Sequence, residues 1–197
     1  MQRTALSIND MIQFSRLILQ FQDIIRVVDL PRGTNRENDV EHSYHLAMMA
    51  WYLNSVGGLG YDVDKVIRYA LVHDLAEAYA GDVHAFDVEA RRGKVQREAA
   101  AMSRIEHEFP FGRDITDAVH EYELQITAEA HFVYALDKLM PILMIYLEGG
   151  QTWRSEGLRL QQIHDNKLDK VALSEPVSDL YLQLKALLDD QPQLFKG

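Results

Sequence analysis

Cysteine is absent from this 197-residue chain. That removes disulfides, thiolate metal sites and cysteine nucleophiles together, and leaves any metal ion to nitrogen and oxygen ligands. Glycine (11) and proline (5) are scarce and act as punctuation: Pro31-Arg-Gly33, Gly57-Gly58-Leu-Gly60, Gly81, Pro110-Phe-Gly112, Gly149-Gly150 and Pro176 separate segments that read at the helical period. The sequence has no unbroken apolar run of about eighteen residues, no basic segment followed by an apolar one at its start, and no lipidation pattern at its end. A soluble, cytoplasmic protein with no membrane partner is the expectation. Positive charge is in deficit, with 20 Lys and Arg against 30 Asp and Glu and a formal net charge of −10. Tight non-specific binding to nucleic acid polymers or anionic membranes depends on clustered cations, so this balance argues against both.

What remains is ordinary globular composition, 47% hydrophobic and 25% charged, and a length that fits one domain. A first helix starts at the cap Ser7, buries Ile8, Met11, Ile12, Leu17, Ile18, Phe21, Ile24 and Ile25, and stops before Pro31. A second has Asn38 as N-cap with Glu41 three residues later and runs to Gly57. A third covers about 64 to 80, closed by Gly81. Further helices read over roughly 87–108, 113–124, 127–148, 153–171 and 175–189, with no alternating strands, internal repeat or long linker. The expectation is an all-α, single-domain helical bundle over 1–197. Its metal-binding core spans about 35–148, and C-terminal helices over about 153–189 pack on it.

The chemistry concentrates in Tyr69-Ala-Leu-Val-His-Asp-Leu-Ala-Glu-Ala-Tyr79. Imidazole and carboxylate lose hydration on burial unless something replaces it, and a metal ion would do so for His73 and Asp74. Glu77, four after His73 and three after Asp74, shares their face and suits a general base or acid acting on water beside the ion. Asp137 stands in the apolar run Ala135-Leu-Asp-Lys-Leu-Met-Pro-Ile-Leu-Met144, where a carboxylate needs a partner, Lys138 or an Arg being the plain alternative to a metal. His42 sits in the first turn of the second helix, with His45 one turn later competing for the same role. Arg32 and Arg36, in the loop before His42, are candidates to clamp a phosphate, and Arg26 is a third. Glu121, Glu123 and His84 carry less weight as pocket residues.

With these residues placed, the chain resembles the HD-domain metal-dependent phosphohydrolases, whose metal set runs H…HD…D in this order. His42, His73-Asp74 and Asp137 match it. The resemblance is closest to the branch of the 5′-deoxynucleotidases, through Asn35-Arg-Glu-Asn-Asp-Val-Glu-His-Ser43, His73-Asp-Leu-Ala-Glu-Ala-Tyr-Ala-Gly-Asp82 and Ala135-Leu-Asp-Lys138. It departs from that branch where the deoxynucleotidases carry an Arg-Trp pair, since Arg26-Val-Val-Asp-Leu-Pro-Arg-Gly-Thr34 has no Trp. The resemblance implies one divalent ion (Mn, Co, Mg, Zn, Ni or Fe), Glu77 as the residue that activates water, Asp82 as a catalytic and substrate contact, and a homodimer. The implied reaction is release of phosphate from a small phosphomonoester, a nucleoside 5′-monophosphate first. A pyrophosphate, cyclic nucleotide or alarmone substrate, or a metal-stabilised binding module without catalysis, are the alternatives.

Overall fold

The computed structural model describes residues 6–29, 36–83, 87, 89, 92–110 and 112–195. Helix α1 (Ile8–Gln22) starts at Ser7, whose side chain accepts the Asn9 N–H. It packs on later helices through Leu17 and Phe21, while Ile8, Met11 and Ile12 are exposed. The expected burial of its first turns is therefore corrected: those turns carry no buried residue, and the helix meets the body of the protein from Phe14 onward. The helix also ends earlier than expected. The β-branched run after Asp23 forms strand β1 (Ile25–Asp29), antiparallel to β2 (Arg36–Asn38), with Ile25 opposite Asn38 and Asp29 opposite Arg36. A five-residue strand is too short for alternation to announce it, and Ile and Val suit a pleated, half-buried surface.

Helix α2 (Asp39–Gly57) opens with the capping box expected from sequence, Asn38 Oδ1 accepting the Glu41 N–H and Glu41 Oε2 accepting the Asn38 N–H. Helix α3 (Val63–Val72) stops at His73, so the single helix expected to Ala80 is corrected. A tight turn intervenes, in which the Leu75 N–H bonds Val72 O and the Glu77 N–H bonds Asp74 O. Helix α4 (Glu77–Ala80) follows. The i→i+3 spacing of those bonds tightens the backbone at the His-Asp step.

Helices α5 (Lys94–Glu108) and α6 (Arg113–Glu123) lead to α7 (Ala128–Leu147), capped by Thr127 and passing through Pro141. The expected helix over 153–171 is two, α8 (Gln151–Ser155) and α9 (Leu160–Val171), because the chain turns at Gly157 with φ +68°. Helix α10 (Glu175–Asp189) carries Pro176 in its first turn, where no helical N–H is lost. A short 3-10 turn, Pro192–Leu194, follows.

Helix α7 organises the core. By length and composition it would span a bilayer, yet most of it is buried inside the protein, packed on α2, α3, α9, α10 and β1. A helix covered on several sides needs apolar residues all round, which leaves Asp137 as the exception to be explained. The architecture is helical, with the β1–β2 ribbon as its only sheet among the described residues.

Candidate metal centre

Two separate segments converge on α7. The Asn38–Glu41 box fixes the start of α2 and so the position of His42 one turn inside. The turn after α3 presents His73 and Asp74, and α7 brings Asp137 from its middle. Ligand atoms of these four residues all lie within 4.8 Å of one another. His42 Nε2 is 3.0 Å from Asp137 Oδ1, and His73 Nε2 is 3.0 Å from Asp74 Oδ2 and 3.7 Å from Asp137 Oδ1. His42, His73 and Asp137 are buried, and Asp74 keeps a partly exposed side chain.

The outer ring nitrogens explain why the inner ones face this point. His73 Nδ1 donates to the Ala70 carbonyl at 3.0 Å, and His42 Nδ1 lies 3.3 Å from the buried Glu37 Oε2. The hydrogen bond at His73 Nδ1 sets that tautomer and leaves the His73 Nε2 lone pair pointing inward, whereas His42 Nδ1 and Glu37 Oε2 make no well-aligned hydrogen bond. His73 Nε2 is buried without a well-aligned hydrogen bond, so its lone pair faces two carboxylates, with His42 Nε2 at hydrogen-bond distance from one of them, Asp137 Oδ1. That arrangement repels itself unless a cation joins it. A proton is one such cation: burial pulls the His73 imidazolium down, but Asp74 and Asp137 outweigh it and hold it up to about 10. A divalent ion is the other, and two imidazoles with two carboxylates are a donor set that fits first-row ions. Burial would raise both aspartates; His73 is the main cation holding Asp74 well below the carboxylate range, and Lys138, with both imidazoles, does so for Asp137.

A second ring of charge surrounds the four. Arg26 reaches Asp39 Oδ1 at 3.0 Å, Asp74 Oδ2 at 3.2 Å and Glu37 Oε2 at 3.5 Å. Burial works against its charge, but Asp74, Asp137 and Asp39 raise its pKa further still. Glu77 is buried, with Oε1 accepting from Lys94 Nζ at 2.9 Å and Oε2 without a hydrogen-bond partner among the described residues. Burial, then Asp74 and Asp82, push its carboxyl up to about 9, with Lys94 opposing.

A cavity of about 180 Å³ opens on this centre. Its polar side carries Arg26, Asp74, Glu77, Asp82, Lys94, Asp137, Lys138 and Lys167, and its apolar side includes Val28, Ile142, Ile145, Trp153 and Leu158. Asp82 is thus in the pocket. Arg36 is not brought to it: the side chain is 54% exposed and its Nε lies 3.5 Å from Asp29 Oδ1. Arg32 and His84 lie outside the described residues. His45 is absent from the group of converging ligands, Glu121 accepts from the Tyr69 hydroxyl at 3.0 Å, and Glu123 is half exposed. The sequence reading missed Glu37, Asp39, Lys94 and Lys167. Glu37 and Asp39 flank the cap residue Asn38 on a two-residue spacing, a weak signal, and nothing local marks the two lysines.

A helical body carrying His, His-Asp and Asp around one point defines a class of metal-dependent hydrolytic domain. The family model described as HD domain matches residues 19–176, and the chain belongs to that family. It is 33% identical over 163 residues to the 5′-deoxynucleotidase HDDC2 of Xenopus laevis, covering 81% of this chain and 79% of that one. With the Bos taurus protein of the same name it shares 31% identity over 176 residues, 85% of this chain and 81% of the relative. Among solved structures, a predicted metal-dependent phosphohydrolase from Magnetospirillum magnetotacticum MS-1 superposes with a TM-score of 0.81 at 27% identity, over 96% of this chain and 98% of that one.

Proposed function

We propose that this protein is a divalent-metal phosphohydrolase that releases phosphate from a nucleoside 5′-monophosphate. The observation that carries the reading is the convergence of His42, His73, Asp74 and Asp137 within 4.8 Å beside a pocket whose lining includes Glu77, one of its oxygens without a partner among the described residues. The relatives named as 5′-deoxynucleotidases support the substrate class.

When bound by those four side chains, the ion offsets the charge of a phosphomonoester and makes nearby water more acidic. The rest is work for the chain. Glu77 Oε2 is the free acceptor for the proton of an attacking water, and Lys94 on Oε1 fixes the orientation of the carboxylate. Positive charge added beside Asp74 brings Glu77 down from about 9 toward neutrality, the range in which a general base is most effective. Arg26, gripping Asp39 and Asp74, is the guanidinium in reach of phosphate oxygens from the pocket wall. Asp82 lines the same space and is assigned to the substrate near its leaving oxygen. The apolar wall around Trp153 and Ile142 gives a nucleoside a dry surface. Among the described residues, the cations Arg26, Lys94, Lys138 and Lys167 share the lining with the carboxyl groups of Asp74, Glu77, Asp82, Asp137 and Glu156. A divalent ion would add positive charge to that lining, which favours a phosphate dianion.

The reading includes a cytoplasmic homodimer. The outer face of α2, with Tyr44, Met48, Trp51, Tyr52 and Val56 exposed, supports the pairing, which light scattering would measure. The deciding experiment is phosphate release across a matrix of metals and substrates, with Glu77→Gln as control. Hydrolysis of nucleoside 5′-monophosphates that drops about 10²- to 10⁴-fold in the variant, with metal retained, is the expected result. Activity confined to diesters or pyrophosphates would overturn the substrate class. Metal binding without hydrolysis of any phosphate ester would overturn the enzyme reading.

A further inference from the structure

Lys167 has no assigned task in the centre described above. It stands on α9, which packs against α7, and its side chain lines the pocket together with Arg26, Asp74, Asp137 and Lys138. The other pocket cations are each held by carboxylates: Arg26 by Asp39 and Asp74, Lys94 by Glu77 at 2.9 Å, and Lys138 by Asp137. Lys167 is the exception, for among the described residues no carboxylate lies within ion-pair distance of its Nζ. Burial is the main influence pulling its ammonium down, to about 8, with Lys138, Lys170 and Arg26 adding to the pull and Asp137 opposing it. A half-buried lysine with cationic neighbours and no partner costs stability. An anion entering the pocket removes that cost by becoming the partner.

We propose that Lys167 binds the phosphoryl group of the substrate, reaching from α9 into the pocket that Asp74 and Asp137 border. The inference rests on the monoesterase reading for the identity of the ligand and on the pocket geometry for the residue. A charge-assisted hydrogen bond in a partly buried site of this kind changes affinity by about tenfold to a hundredfold. Lysine suits the task because its compact, rotatable ammonium donates to phosphate oxygens as a point charge, adding to the Arg26 guanidinium, whose Nη1 is shared between Asp39 and Asp74.

The test uses the full-length, metal-loaded protein and the variants Lys167→Met and Lys167→Arg. Inorganic phosphate is titrated calorimetrically, KM and kcat are measured for a nucleoside 5′-monophosphate, and bound metal is counted. The expected result for Lys167→Met is a phosphate Kd and a KM raised at least tenfold, with kcat lowered less than KM rises and metal content unchanged. Lys167→Arg retains most of the phosphate affinity. A phosphate Kd for Lys167→Met within twofold of wild type overturns the assignment, as does a wild-type protein with no measurable affinity for phosphate. The two readings fail separately. Wild-type protein that binds phosphate but cleaves no monoester sinks the substrate reading and leaves the titration to decide Lys167. Normal turnover with an unchanged variant sinks Lys167 alone.

Discussion

Glu37→Gln removes one negative charge from a buried position without changing side-chain shape, and its consequence follows from two contacts. Glu37 Oε2 lies 3.3 Å from His42 Nδ1 and 3.5 Å from Arg26 Nε, with the residue 2% exposed. In the native protein this buried negative charge, 3.3 Å from Nδ1 without a well-aligned hydrogen bond, favours a proton on that nitrogen and so favours the tautomer whose Nε2 lone pair can face the metal centre. An amide is a weaker acceptor, and its NH₂ turned toward the ring would favour the opposite tautomer. Outer partners of metal-binding histidines change metal affinity by about 10- to 100-fold when removed, which is about 1.4 to 2.7 kcal/mol. The fold is expected to hold, because Arg26 retains Asp39 at 3.0 Å and Asp74 at 3.2 Å. Competition with a chromophoric chelator for Mn²⁺ or Co²⁺ measures the affinity, and thermal melting of chelator-treated protein measures the fold. Metal affinity within threefold of wild type would refute the idea that Glu37 sets the His42 tautomer. A metal-free protein that melts far below wild type would show that Glu37 acts on the fold instead.

Lys167 also predicts a pH effect on stability. Its pKa is about 8 in the folded protein against 10.5 ordinarily, so between those values the unfolded chain holds a proton that the folded one has released, and stability rises with pH through that window. The full difference corresponds to about 3 kcal/mol and solvent contact reduces it toward about 1 kcal/mol. Urea melts from pH 7 to 10.5 should show Lys167→Met more stable than wild type at pH 7, with the difference closing as pH rises; the comparison cancels the opposite trends of Glu77 and His73, which both proteins share. Gly150 has φ +75°, and a Cβ placed there would lie 2.5 Å from the Leu194 carbonyl oxygen. Gly150→Ala should therefore cost about 2 to 4 kcal/mol through backbone strain and the forced shift of the C-terminal turn, read as a lower urea midpoint with unchanged metal content.

Where local chemistry decides an outcome, the sequence was a sufficient guide. Ser7, Asn38-x-x-Glu41 and Thr127 each make their caps, because a short polar side chain satisfies an N–H two or three residues away. Pro176 marks the first turn of α10 for a similar reason. The misplacements have tertiary causes. Residues Ile24 to Val28 continue a helical pattern on paper, yet their hydrogen-bond partners lie in the strand that precedes α2, beyond the reach of periodicity. The break after Val72 is equally non-local. An unbroken α-helix would separate His73 and Asp74 by about 100°, and the tight turn there lets both meet Asp137 on another helix. The burial expected along α1 fails because periodicity shows which side is apolar and not whether anything comes to cover it.

By itself the sequence determined the ligand types and their order, a helical body, and the exclusion of thiolate chemistry, since these depend on residue identity and on contacts within a few positions. Tertiary structure alone decided which cations border the site. Arg26, Arg32 and Arg36 lie within ten residues of one another, yet chain direction in the β1–β2 ribbon turns Arg26 inward onto Asp39 and Asp74 and leaves Arg36 on the surface beside Asp29. Lys167 enters the pocket only because α9 folds back onto α7. Charge acts through space, and the distances that govern it exist only after the chain has packed.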